Sequence, residues 1–196
     1  PSILEQFDLG HTWDYDDESD TWVKNTGTTP RPPEILFIER CVQLLKPGSG
    51  RAAIVLPDGI LGSPGLGFVR QWILAHTTIL ASVDLHPDTF QPGTSVQTSV
   101  LVVQRKSEQQ LRDEIAAGRI RDYEVFMAIC DRIGHDKRGN AVYLRDDKGF
   151  EIVREIEDAV TGANDDEEQK YLANERVVDD NTGRIAEEFR SWLVAQ

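Results

Sequence analysis

Cysteine is scarce. Cys41 and Cys130 are the two cysteines in 196 residues, too few for a disulfide framework. Both fall inside apolar patterns, one on a helix and one on a strand, where a buried free thiol is the expectation and no metal role is assigned. Long apolar runs are also missing: nothing approaches the roughly 20 consecutive apolar residues of a membrane span, and no basic, apolar leader opens the chain. A cytosolic protein with no membrane contact is the expectation. Basic charge is outweighed, with 21 Lys and Arg against 34 Asp and Glu and a net charge of −13. That balance argues against a stand-alone nucleic-acid binder, which needs a basic face to neutralise phosphates. A dinucleotide fingerprint is absent too. Gly65-Leu-Gly67 lacks the third glycine and the acidic partner, and following Ser63-Pro64 it reads as a turn that opens a helix. No internal repeat is visible.

The chain does hold 39% hydrophobic residues, enough for one core with peripheral elements. Its charge is uneven. Residues 1–30 carry seven acidic side chains against Lys24, and residues 145–196 carry fifteen against seven basic, whereas residues 31–144 carry twelve against thirteen. The middle is therefore compatible with one wall of a DNA cleft, while the acidic ends face solvent or a protein partner.

Residues 1–31 show little periodicity and read as an extended loop, docked by Trp13, Tyr15 and Trp22. The run Asp14-Tyr-Asp-Asp-Glu-Ser-Asp20 lacks the glycine and terminal glutamate of a calcium loop, so a solvated charge run is preferred to a metal site. Pro32-Pro33 opens a helix with an apolar stripe of Ile35, Ile38, Cys41, Val42 and Leu45, stopped by Pro47-Gly48. Residues 52–57 form a continuous apolar run, the pattern of a central strand covered on both faces. Phe68, Val69, Trp72 and Ile73 recur at helical spacing, and a second strand follows at 79–85. Strand, helix and strand predict a crossover between parallel neighbours. About a dozen residues later comes a strand at 98–104, too soon for another crossover and suited to an antiparallel return. The expected fold is therefore α/β, a mostly parallel sheet with a final antiparallel strand.

Ser107 is the expected N-cap of a short helix ending at Gly118. Residues 123–130 read as a strand, and Ile133-Gly-His-Asp-Lys-Arg-Gly-Asn140 as a hairpin-like connection into residues 141–144. In that connection His135 beside Asp136 is a turn residue in preference to a general base. Further on, residues 150–160 suggest a short helix and residues 164–168 a mobile, solvated acidic run. Residues 185–193 suggest a terminal helix with Ile185, Phe189, Trp192 and Leu193 on one side.

Two phrases carry a family resemblance. Asp88-Thr-Phe-Gln-Pro-Gly-Thr-Ser-Val-Gln-Thr-Ser-Val-Leu-Val-Val-Gln-Arg-Lys106 resembles the end of an adenine-N6 DNA methyltransferase domain. Leu44-Leu-Lys-Pro-Gly48, leading into Arg51-Ala-Ala-Ile-Val-Leu-Pro-Asp-Gly-Ile-Leu61, is similar to the modification subunits of type I restriction-modification systems. The resemblance implies a partial Rossmann-like methyltransferase sheet plus a C-terminal extension. It divides the chain into an acidic, aromatic loop (1–31), the C-terminal half of the methyltransferase domain (32–106) and an extension with hairpin and helices (107–196).

That family binds S-adenosylmethionine with a Gly-rich turn and grips the target amine with an Asn-Pro-Pro-aromatic tetrapeptide. Neither motif occurs in these 196 residues, so the resemblance implies a fragment of a longer enzyme, inactive alone, with no cofactor-binding or catalytic residue of its own. It also implies DNA and the specificity and restriction subunits as partners. An aromatic from the loop between the last two strands covers one face of the extruded adenine in the family, and Phe90 holds that place; the bland alternative is a core residue plugging the sheet end. Thr94 and Ser95 shape the same loop and are candidate DNA contacts, as are Lys137 and Arg138, against the alternative of ordinary turn residues. The family commonly has tyrosine where this chain has His135. A non-catalytic scaffold within a restriction-modification assembly is the rival reading.

Overall fold

The computed structural model describes residues 3–161 and 168–195. Two short 3-10 turns lead into a hairpin of β1 (His11–Asp16) and β2 (Thr21–Thr28). An extended loop was expected here. The correction has a physical cause: Trp13 stacks on Phe68 with ring centroids 5.8 Å apart, and Trp22 meets the same ring edge-on at 5.8 Å. The acidic turn between the strands stays in water while its aromatic neighbours dock.

Helix α1 (Pro33–Leu44) begins with proline in its first turn and buries Ile35, Ile38 and Val42, as the periodicity predicts. Cys41 is half-buried and unbridged. Strand β3 (Arg51–Pro57) is followed by the short helix α2 (Asp58–Gly62), a 3-10 turn at Pro64–Leu66, and α3 (Gly67–His76). Gly65 and Gly67 thus open a helix, and a Cβ at Gly67 would collide with the Trp22 indole.

Strands β4 (Thr77–Asp84), β5 (Thr98–Arg105) and β6 (Phe126–Ile129) complete a four-stranded sheet in the order β3-β5-β4-β6. Strands β3, β4 and β6 run the same way and β5 runs against them. Two expectations are corrected. The strands joined by the crossover are parallel but not neighbours, because β5 enters between them and bonds to both. The apolar run of β3 is not central: among the described residues β3 pairs with β5 alone, and its side chains alternate in burial, with Leu56 buried and Val55 half-exposed.

One face of the sheet meets α1 and α3 in a core that includes Leu9, Leu56, Phe68, Leu101 and Val103. The other faces α5 (Thr182–Val194), whose Phe189 and Trp192 cluster with Phe126 of β6 at 5.4 and 6.1 Å. That helix lies where the apolar spacing places it. Helix α4 (Glu108–Ala117) has a capping box on Ser107 and ends on left-handed Gly118, also as read.

The expected helix at 150–160 is a strand instead. Strand β7 (Val153–Thr161) pairs antiparallel with β8 (Glu168–Arg176), and Arg154 of one is bonded to Glu175 of the other at 2.8 Å. The acidic run at 164–168 lies, apart from Glu168, outside the described residues.

Candidate functional site

In an open α/β sheet, ligands are met at the carboxyl ends of the parallel strands. Here that end is formed by Pro57 and Asp58 at and after β3, by Asp84 and Leu85 at and after β4, and by Ile129 and Cys130 at and after β6. Because β5 runs the other way, it starts at this same end, and the loop joining β4 to β5 stands over it. Phe90 is in that loop.

The loop is built of consecutive tight turns. The amide and hydroxyl of Thr89 both donate to His86 O, at 2.9 and 2.6 Å, and Asp88 N donates to His86 Nδ1 at 3.1 Å. Gln91 N then donates to Asp88 O at 3.0 Å and Thr94 N to Phe90 O at 3.0 Å, around a cis Gln91-Pro92 bond. Phe90 is 41% exposed, so it is not a buried plug of the sheet end. The Thr94 hydroxyl accepts the amide of Val96 at 3.3 Å, which occupies it with turn geometry, while Ser95 is exposed.

The turn that carries Lys137 and Arg138 meets the same loop from more than 40 residues further along the chain. Asp136 Oδ1 accepts the amides of Arg138 and Asn140 at 2.8 and 2.9 Å, and the Asn140 side-chain amide donates to Asp136 Oδ2 at 3.0 Å. These bonds, the Asn140 side chain first, hold the Asp136 carboxyl below its ordinary range. Gly139 closes the turn at φ +84°, and a Cβ there would lie 3.7 Å from Pro92 Cδ, so the basic turn abuts the Phe90 loop. Lys137 and Arg138 are both exposed. His135 has its Nδ1 2.9 Å from Asp136 O and pairs with Ala141, a turn residue as read. His86, Asp131, Arg132, His135 and Asp179 line a small cavity of about 160 Å³.

The turn chemistry recurs ten residues later, a feature the sequence reading missed. Asp146 Oδ1 accepts the amides of Lys148 and Phe150, each at 2.9 Å, and Gly149 closes the turn at φ +86°. The shared signal is Asp, two residues, Gly, with a basic residue before the glycine.

Cys130 is 1% exposed with Sγ 3.3 Å from Asn181 Oδ1, and burial, with nearby Asp180, pushes its thiol pKa up. It is a poor nucleophile. Among the described residues no group of three or more His, Cys, Asp or Glu is arranged to hold a metal, and no helix is long and apolar enough to cross a membrane. At the remaining glycine turn, the Trp22 indole fills the space against Gly67, while the space beside Gly65 is open.

No curated protein matches the chain. Among solved structures, a Listeria monocytogenes protein assigned to the class I S-adenosylmethionine-dependent methyltransferases is similar over 49% of this chain and 26% of its own, at 21% identity and TM-score 0.38. A structure of an assembled type I R-M system is similar over 50% of this chain and 20% of its own, at 25% identity and TM-score 0.35. The M protein of the type I restriction enzyme EcoKI is similar over 44% and 18%, at 24% identity and TM-score 0.36. The aligned region spans about a quarter or less of each of those chains. The sequence model of N-6 DNA Methylase matches residues 7–181, which takes in every strand of the central sheet, the Phe90 loop and the Lys137 turn. The chain belongs to the N-6 DNA methylase family.

Proposed function

We propose that this chain is part of an enzyme that methylates the N6 amine of adenine in DNA, with S-adenosylmethionine as donor, within a type I restriction-modification assembly that includes specificity and restriction subunits in the cytoplasm. The observation that carries the reading is a half-exposed aromatic at the carboxyl end of the sheet, beside a basic turn, in a chain that belongs to the N-6 DNA methylase family.

The reaction explains why such a site needs so little acid-base machinery. The exocyclic amine is a weak nucleophile because its lone pair is delocalised into the ring, so the base must leave the duplex and be held in line with the methyl group. Positioning supplies most of the acceleration. S-adenosylmethionine, held by other parts of the enzyme, would supply the methyl group as an electrophilic carbon on sulfur. Phe90 stacks one face of the extruded base. Lys137 and Arg138 hold phosphates flanking it, and Ser95 and the backbone around Thr94 meet the DNA edge. Donor binding and the amine acceptor belong to parts of the enzyme other than these 196 residues, so the chain alone is inactive.

The test has two arms. Full-length parent protein, with its partner subunits, is incubated with unmethylated plasmid and tritiated S-adenosylmethionine, and the product nucleosides are resolved. N6-methyl-2′-deoxyadenosine is the expected product; label in deoxycytidine, or none, overturns the reading. Calorimetry of the 196-residue chain with S-adenosylmethionine should show no saturable heat, and micromolar binding would mean the donor site has been misplaced.

A further inference from the structure

We propose that Asp58 is a positioning residue for this reaction: it fixes the stem of the loop that carries Phe90 and does not itself touch the base. The proposal rests on the reading of Phe90 as the stacking residue.

The loop from His86 to Val96 hangs between two stems. Its first stem is secured by the sheet, since Leu85 N donates to Thr98 O at 3.1 Å and Cys130 N to Asp84 O at 2.8 Å. Its second stem, Gln97 to Ser99, leaves the ladder where β3 ends at Pro57, opposite Thr98. Asp58 continues the pairing past that point. Its amide donates to Gln97 O at 3.1 Å, and its carboxylate Oδ1 accepts the hydroxyl of Ser99 at 2.8 Å. Ser99 is 7% exposed, so in this buried place its hydroxyl depends on Asp58. Gln97 is in turn joined to β4, its side-chain amide 3.5 Å from Asp84 Oδ1. One residue thus links the end of β3 to the segment that sets the loop's exit.

The chemistry gives that link a use. Residues 92–97 are exposed and have few anchors of their own, so the direction in which Phe90 is offered depends on the stems. A displacement of about 1 Å at a positioning group can cost on the order of 100-fold in rate. Asp58 is well suited to prevent one because a charged acceptor makes the stronger hydrogen bond.

The test uses the full-length parent enzyme and a duplex carrying the site found by mapping methylated plasmid, with 2-aminopurine at the target adenine. Asp58→Ala is expected to lower kcat about tenfold or more and to reduce the 2-aminopurine signal, with KM for DNA little changed, because the phosphate contacts remain. Ser99→Ala should reproduce the effect, and the double variant should be no worse than the poorer single, as expected for one shared contact. Asp58→Asn keeps an oxygen that accepts the Ser99 hydroxyl and should restore most of the rate. If Asp58→Asn is as impaired as Asp58→Ala while thermal melting shows both folded, the carboxylate acts directly and positioning is overturned. If Asp58→Ala is folded and fully active while Phe90→Ala is impaired, this proposal fails and the stacking reading stands. If Phe90→Ala is itself fully active with normal base extrusion, the stacking reading fails and takes the proposal with it.

Discussion

Replacing Phe90 by alanine separates the two roles open to that side chain. A fully buried phenylalanine cut to alanine costs roughly 3–5 kcal/mol of stability. Phe90 is 41% exposed and sits in a loop, so the cost to folding should be about half of that, near 2 kcal/mol. In a domain of this size each kcal/mol moves Tm by roughly 2–4 °C, giving a fall of about 4–8 °C. Loss of a base-stacking contact is worth roughly 1–3 kcal/mol, a drop of about 5- to 150-fold in methylation rate by the full-length enzyme at 25 °C. Tryptophan or tyrosine at the position should keep most of the rate, because a flat ring remains, whereas leucine should not. Thermal unfolding, single-turnover methylation and 2-aminopurine fluorescence at the target base are the measurements. A variant that melts more than about 10 °C lower yet extrudes and methylates the base normally when folded would refute the argument and make Phe90 a packing residue.

Three further changes test the scaffold. The Lys106 side chain is 1% exposed and its Nζ contacts Leu74 O at 2.7 Å and Glu114 Oε2 at 2.5 Å, so Lys106→Met should cost about 3 kcal/mol by removing the partner of Glu114; Lys106→Met with Glu114→Leu should recover part of it in a urea titration, and no recovery would mean the pair is uncoupled. Glu39 is 2% exposed and accepts the amides of Asp8 and Leu9 at 3.0 and 2.8 Å, so Glu39→Gln, which sets an amide donor against one of them, should cost about 1–3 kcal/mol by the same assay; an unchanged midpoint would show that the N-terminal turn is not held from α1. Burial opposes ionisation of Asp8, but bonds from Lys24 and Trp72 outweigh it and leave its pKa lowered. Its contribution is therefore complete above the unfolded value near 4 and lost as pH falls through the lower folded value, and Lys24→Met should move acid unfolding to higher pH.

What could be read from the sequence was what depends on neighbours along the chain. The stripe of α1, the cap on Ser107, the aromatic side of α5 and the turn at Asp136 are all local patterns, and each appears as read. The failures share one cause, a partner that lies outside the segment being read. Ile152, Ile156 and Val160 lie four apart, which suits one face of a helix as well as alternate positions of a strand; pairing with β8 decides for the strand. Trp13 and Trp22 sit in acidic surroundings that read as loop, and Phe68, more than 40 residues on, makes them a docked hairpin. Glu39 did carry a signal. It lies four residues after Ile35, on the buried face of α1, and a carboxylate at such a position must be hydrogen-bonded to something. Its partners are amides some 30 residues upstream. Asp58 and Ser99, 41 residues apart, are the same case at the site: each is an ordinary polar residue alone, and only the antiparallel entry of β5 beside β3 turns them into a contact. Long-range polar pairs of this kind are information that periodicity along one chain does not contain.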